Sequence, residues 1–176
     1  MDYTEKTINK NYIYKGKILN LRHDDAMLPN GQTCNREIVE HGGGACVLYV
    51  QNGKVALVRQ YRYAYGETVL EIPAGKLNAG EDPLLAAQRE LEEETGICAN
   101  RLDLMCVMYP TPGYTNEKIY IYQAFDGVQG DRHLDEDEFL DVEWIALEQI
   151  KKMLKNGEIK DAKTIIALQM YFLNEK

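Results

Sequence analysis

Between residues 10 and 41 the apolar positions recur as short strands. Tyr12-Ile13-Tyr14, Ile18-Leu19-Asn20-Leu21 and Cys34 to Val39 carry the aromatic and β-branched residues that suit a pleated surface. Pro29-Asn30-Gly31 separates the last two and predicts a hairpin turn, because Asn-Gly accepts positive φ. Gly42-Gly43-Gly44 then breaks the pattern and reads as a hinge. It predicts an N-terminal antiparallel β element over residues 1–41 and a main domain over residues 42–176. No helix follows the triplet directly, so it is not a phosphate-binding loop.

Past the hinge the pattern mixes two periods. Ala45 to Val50, Val55 to Gln60, Thr68 to Ile72, Leu104 to Tyr109, Lys118 to Phe125 and Val142 to Ile145 predict strands, with Gln51-Asn52-Gly53-Lys54 as a turn. A helix is predicted between Asp82 and Gly96. Asp82 suits the N-cap, Pro83 the first helical position and Gly96 a left-handed C′. Leu84, Ala87 and Leu91 form its apolar stripe. Two further helices close the chain, Leu147–Lys155 and Asp161–Phe172, the second capped by Asp161 with Ile165, Leu168, Gln169 and Phe172 at helical spacing. Strands on both sides of a central helix, with helices at the end, indicate an α/β class and a mixed sheet between helices.

The central helix carries the chemistry. Glu90, Glu93 and Glu94 lie three and four positions apart, the spacings that bring side chains together on one side of a helix. Three crowded carboxylates repel, and a divalent cation would compensate; hard oxygen donors suit magnesium or manganese. On the carboxylates alone, a solvated face with Arg89 paired to Glu92 or Glu93 is the alternative. Ile72-Pro73-Ala74-Gly75 leading into the helix argues for the site.

Composition narrows the class. The net charge is −8, which lacks the basic footprint of a nucleic-acid binder. No apolar run reaches the ~20 residues of a bilayer span, and Met-Asp-Tyr-Thr-Glu-Lys lacks a signal-peptide core. A cytoplasmic protein without membrane or nucleic-acid partners is expected. Cys34, Cys46, Cys98 and Cys106 make no C-x-x-C pair, so zinc is not expected and buried free thiols are. A catalytic cysteine, partnered by His23, His41 or His133, is the alternative.

From Gly75 to Ile97 every fixed position of one signature is present: Gly75, Glu81, Arg89, Glu90, Leu91, Glu93, Glu94, Gly96 and Ile97. The stretch resembles the Nudix box, the mark of hydrolases that cleave a nucleoside diphosphate linked to another group. Pro112 stands sixteen residues after Gly96, within Thr111-Pro112-Gly113-Tyr114-Thr115-Asn116-Glu117. That segment is similar to the one that distinguishes ADP-ribose pyrophosphatases. Arg59-Gln60-Tyr61-Arg62, Arg36 to His41 and Asp161-Ala162-Lys163-Thr164 are also similar to that subfamily.

The resemblance implies a Nudix α/β/α sandwich and hydrolysis of ADP-ribose to AMP and ribose 5-phosphate with Mg2+, Mn2+ being a possible substitute. It implies direct metal ligation by Glu90 and Glu94, a further role for Glu93, and a contribution from the main-chain oxygen of Ala74. Arg89 would orient the glutamates, with Glu81 accepting from it and Glu71 as a further carboxylate. Glu136, with Glu138 second, matches the late loop that carries the family's general base. Arg36 and Arg62 are candidates for phosphate, since arginine forks suit its oxygens. Pro112 would stiffen a loop at the substrate pocket, and Glu117 would contact ribose or metal. A homodimer with exchanged N-terminal strands is also implied. The rivals are a pyrophosphatase for GDP-mannose or ADP-glucose, a non-catalytic nucleotide-binding sensor, and an acidic scaffold protein. A sensor is expected to have lost box glutamates, and this chain keeps them all.

Overall fold

The computed structural model of the chain describes residues 2–134 and 138–174. They group into two compact units. The first holds residues 1–43 and 109–118; the second holds residues 44–108 and 119–176. The segment between two strands of the second unit thus belongs to the first, a division that chain order does not reveal. No helix among the described residues is long and apolar enough to cross a membrane.

The first unit is an antiparallel sheet of β1 (Lys6–Asn9), β2 (Tyr12–Lys15), β3 (Leu19–Met27) and β4 (Thr33–His41). β4 pairs along all of β3, from Leu19 opposite His41 to Met27 opposite Thr33. β1 and β2 pair with successive stretches of β3. The β3–β4 turn falls where Pro29-Asn30-Gly31 predicts it, with Gly31 at φ 85°. β1 was not foreseen; its polar sequence, Lys-Thr-Ile-Asn, carries no strand signal. Arg22 is buried, and its guanidinium is shared between Asp24 and Glu40.

The second unit contains β5 (Gly44–Gln51), β6 (Lys54–Arg62), β7 (Glu67–Glu71), β8 (Ala74–Lys76), α1 (Pro83–Thr95), β9 (Ile97–Met108), β10 (Ile119–Gln129), β11 (Leu140–Ala146), α2 (Leu147–Asn156) and α3 (Ala162–Asn174). Its sheet is mixed. The order is β11-β6-β5-β10-β9, with β7 on β6 and β8 on β5, and β10 runs parallel to β5. β5 and β6 meet only near their shared turn, at Val50–Val55 and Gln51–Lys54. They then part, leaving β6 to β7 and β11 and β5 to β8 and β10.

Alternation along β5 divides the core, since successive strand residues face opposite sides. Cys46 and Leu48 join Leu57, Ile72, Ile121, Ile150, Ala167 and Leu168 on the side of α2 and α3. Ala45, Val47 and Tyr49 join Ala86, Ala87, Leu91 and Tyr122 on the side of α1. The result is the expected α/β/α layering.

Three local expectations are corrected. The buried face of α1 is Ala86, Ala87 and Leu91, while Leu84, in the first turn, stays 37% exposed. β9 begins at Ile97, well before Leu104, because β10 continues to Gln129 and pairs with it back to Ile97, with an irregularity beside Met105. The cysteines are not all buried: Cys46 is, Cys34 and Cys106 are half-buried, and Cys98 is exposed. Burial pushes the Cys46 and Cys106 thiols up, away from the reactive thiolate, so neither favours nucleophilic chemistry.

Candidate active site

The site is assembled around α1. Asp82 accepts the Leu84 N–H at 2.8 Å, and Pro83 occupies the first turn, so the helix starts where these residues predict. Gly96 ends it in the left-handed conformation at φ 74°, its N–H donated to the Glu92 carbonyl at 2.7 Å. On the sheet side, β7 delivers Glu71, and Ile72-Pro73 leads to Ala74. The Ala74 N–H donates to Glu94 Oε2 at 2.9 Å, tying the entry loop to the last turn of α1.

Arg89 gathers the acidic groups. Its Nε and Nη2 donate to the two oxygens of Glu81 at 3.0 and 3.1 Å, and Nη1 donates to Glu90 at 2.7 Å and Glu93 at 2.9 Å. Nη2 also reaches the Lys76 carbonyl at 3.3 Å. Glu81 is further held by the Asn78 N–H at 2.8 Å. A guanidinium pinned by three carboxylates is a positioning group, with little left to offer a ligand.

Gly75 has a steric reason. A Cβ there would lie 2.0 Å from Cδ and Oε1 of Glu90 and 2.2 Å from Oε2. The carboxylate rests where any other residue's side chain would begin. Gly96 is similarly confined: besides its φ, a Cβ would come within 2.5 Å of the Gly130 carbonyl oxygen. The Gly130 N–H donates to the Gly96 carbonyl at 2.7 Å, and the His133 N–H to the Glu93 carbonyl at 3.1 Å. These bonds stitch the β10–β11 loop to the end of α1.

Electrostatics sets two carboxylates apart. Glu94 is 1% exposed, and burial, reinforced by Glu138 and Glu90, pushes its pKa up to about 8 against the Ala74 N–H. Burial also raises Glu90, with Glu93 and Glu138 adding to it and Arg89 opposing. Two buried carboxyls that resist ionisation on one helix fit a divalent cation, which would restore the charged form. Glu93 is more open, with its side chain 35% exposed. No three His, Cys, Asp or Glu side chains converge as a ready-made metal cage among the described residues. A cation held by Glu90 and Glu94 would therefore also draw on backbone, water or substrate oxygens.

The other expected residues divide. Glu138 stands close enough to both buried glutamates to raise them, and it accepts from Gln60 Nε2 at 3.4 Å. Glu136 lies outside the described residues. Glu71, expected as an extra carboxylate, is committed elsewhere: Arg62 donates to it through Nε at 2.5 Å and Nη2 at 2.7 Å, and Lys163 also binds it. Arg62 is thus half-engaged. Arg36, in the first unit, is bound to Glu5 at 2.9 and 2.6 Å in an exposed pair. Pro112 and Glu117 also belong to the first unit, where Glu117 pairs with His41 Nδ1 at 3.2 Å. The sequence pointed to no role at the box for Lys163, Gly130 or His133, the last considered only as a partner for a catalytic cysteine. Only the Asp161-Ala162-Lys163-Thr164 motif hinted at the first.

Comparison with known proteins adds the family. Residues 40–168 match the NUDIX domain, and residues 5–39 match the nucleoside diphosphate sugar hydrolase N-terminal domain. An ADP-ribose pyrophosphatase of Bacillus subtilis is 43% identical over 97% of this chain and 94% of its own length. A methanol dehydrogenase activator of Bacillus methanolicus is 41% identical over 98% of this chain and 95% of its own. A solved structure described as an ADP compounds hydrolase superposes with a TM-score of 0.85 at 22% identity, covering 98% of this chain and 95% of that one, and so shares the fold. With the box complete from Gly75 to Ile97 and its glutamates gathered on α1, this chain belongs to the Nudix hydrolase family.

Proposed function

We propose that this protein hydrolyses the pyrophosphate bond of ADP-ribose, giving AMP and ribose 5-phosphate, with Mg2+ as the cofactor and Mn2+ able to replace it. The observation that carries the reading is the pair of buried, ionisation-resistant carboxylates, Glu90 and Glu94, held in register by Arg89 and the Gly75 cradle. The choice of ADP-ribose follows the 43% identical pyrophosphatase and the Pro112 segment.

A pyrophosphate resists attack because its oxygens are anionic, and a bound divalent cation neutralises that charge and lowers the pKa of water. Glu90 and Glu94 would hold the cation, with Glu93 and the Ala74 carbonyl as further oxygen donors. Water adds to one phosphorus, the bridging P–O bond breaks, and the water's proton passes to a carboxylate of the β10–β11 loop. Glu136 is assigned that role, with Glu138 as the second candidate. Arg62 and Arg36 contact phosphate, while Pro112 and Glu117 border the nucleotide. The working protein is a cytoplasmic homodimer with exchanged N-terminal strands. Exposed Ile8, Tyr12, Ile13, Tyr14 and Ile18 support a covered apolar face there.

The test is release of nucleoside monophosphate across a panel, AMP from ADP-ribose and ADP-glucose and GMP from GDP-mannose, with magnesium and then with chelator. ADP-ribose should be cleaved fastest and only with metal. A faster rate on either other sugar moves the substrate; metal-independent turnover overturns the chemistry. Sedimentation at micromolar concentration should show a dimer, and a fully active monomer refutes the exchange.

A further inference from the structure

The motif Asp161-Ala162-Lys163-Thr164 opens α3, far in sequence from the box, and the reading above gives it no task. Its side chains nevertheless reach the strand that enters the site. Asp161 Oδ2 accepts from the Thr164 N–H at 2.9 Å and from its hydroxyl at 2.6 Å, capping the helix. Thr164 Oγ1, fully buried, accepts from the Ile72 N–H at 2.8 Å, two residues before Ala74. Lys163 lies between: its ammonium is 3.0 Å from Asp161 Oδ1 and is bonded to Glu71 Oε2.

Glu71 is therefore a carboxylate with two cations. Its side chain is 3% exposed, and Lys163 is buried almost as deeply. A buried carboxylate must be fully paired, and one partner rarely suffices. Here Lys163 takes up part of the charge that would otherwise fall wholly on Arg62. Arg62 keeps Nε and Nη2 on Glu71, and its Nη1 has no hydrogen-bond partner among the described residues. Its side chain is 38% exposed although the carboxylate it binds is 3% exposed. Glu94 lies within electrostatic reach of the same guanidinium. The geometry describes a bracket: α3 holds Lys163, Lys163 holds Glu71, and Glu71 holds Arg62 by two of its three nitrogens.

We infer that Lys163 is a positioning residue for phosphate recognition, fixing Arg62 through Glu71 so that the open Nη1 edge meets an anionic oxygen of the nucleotide. The inference rests on the reading that the chain binds a nucleoside diphosphate sugar. A lysine that merely ties α3 to the sheet would have the same contacts but would act on stability without regard to Arg62.

A kinetic cycle separates these. KM and kcat for ADP-ribose with magnesium are measured for wild type, Lys163→Met, Arg62→Met and the double variant, with thermal unfolding of each. Misplacing a charge-assisted contact to phosphate should raise KM about tenfold in Lys163→Met while kcat changes far less. In the Arg62→Met background the same substitution should raise KM less than twofold, and Lys163→Arg should restore much of the loss. Glu71→Gln, which keeps the side chain's shape, should reproduce the pattern and stands in where Lys163→Met does not fold. An unchanged KM in Lys163→Met, or an equal rise with and without Arg62, overturns the inference. A wild type that cleaves no member of the nucleotide panel sinks the functional reading and this inference with it. A wild type that cleaves ADP-ribose with KM indifferent to residue 163 sinks the inference alone.

Discussion

Adding one methyl group at residue 75 tests whether Glu90 must sit where the structure puts it. The Cβ of Gly75→Ala would stand 2.0 Å from the Glu90 carboxylate, and ordinary contact begins at 3.4 Å, so the carboxylate must retreat by about 1.4 Å. Gly75 has no positive φ, so the substitution probes space alone. The retreat breaks the 2.7 Å bond from Arg89 and moves a cation ligand. Overpacking of this kind costs about 1–3 kcal/mol, or roughly 2–12 °C in melting temperature for a chain of this size. The effect on turnover should be larger: a reacting constellation misplaced by about 1 Å loses on the order of 100-fold. Gly80→Ala is the control. It has φ +77° and nothing within 4 Å of its Cβ, so it should lose about 1–2 kcal/mol of stability to backbone strain while keeping kcat. The assay is AMP release across a magnesium titration, with melting curves alongside. Wild-type kcat and magnesium dependence in Gly75→Ala would refute the claim that this glycine exists to seat Glu90.

Glu94→Gln should fold and lose most magnesium-dependent turnover. It should also change the metal-free protein's response to pH. A carboxyl lifted from 4.5 to about 8 by burial stabilises the fold below pH 4.5, and that contribution is lost as pH rises through about 8. In chelator, wild-type stability against denaturant should therefore fall by a few kcal/mol between those limits, and Glu94→Gln should flatten the fall; an unaltered slope counts against the buried-acid assignment. Glu136→Gln should lower kcat by about 10²–10⁴ with KM little changed, and if only Glu138→Gln does so the base is Glu138. Arg89→Lys keeps the charge but cannot span Glu81, Glu90 and Glu93 together, so kcat should fall by about tenfold or more and half-maximal activity should need more magnesium in titration; wild-type values would show that the fork is dispensable.

What the chain discloses by itself is governed by distance along it. α1 was legible at both ends because its caps are local: Asp82, Pro83 and Gly96 each act on neighbours within a few positions. Within the Glu81–Arg89–Glu90–Glu93 network, the Arg89–Glu93 pair was legible from helical spacing, while Glu81, which lies before the helix, was expected beside Arg89 only from the family resemblance. The close approaches that the two box glycines permit were not legible. Gly75 is explained by a carboxylate fifteen residues on, and Gly96 by a carbonyl at Gly130. The protein partners of Arg62 and Arg36 were not legible either. Arginine forks suit phosphate, but they suit carboxylates equally, and here each also binds a carboxylate, Glu71 and Glu5. Local pattern cannot foresee which acid the fold will deliver to an arginine. The Lys163–Glu71 bond crosses ninety-two positions and depends on α3 docking against the sheet. Such pairings arise only after the sheet and helices have met, yet they decide which donors remain free for a ligand. The chemistry of this site was therefore written in a local motif. Its selectivity for what binds there rests on contacts that only the fold creates.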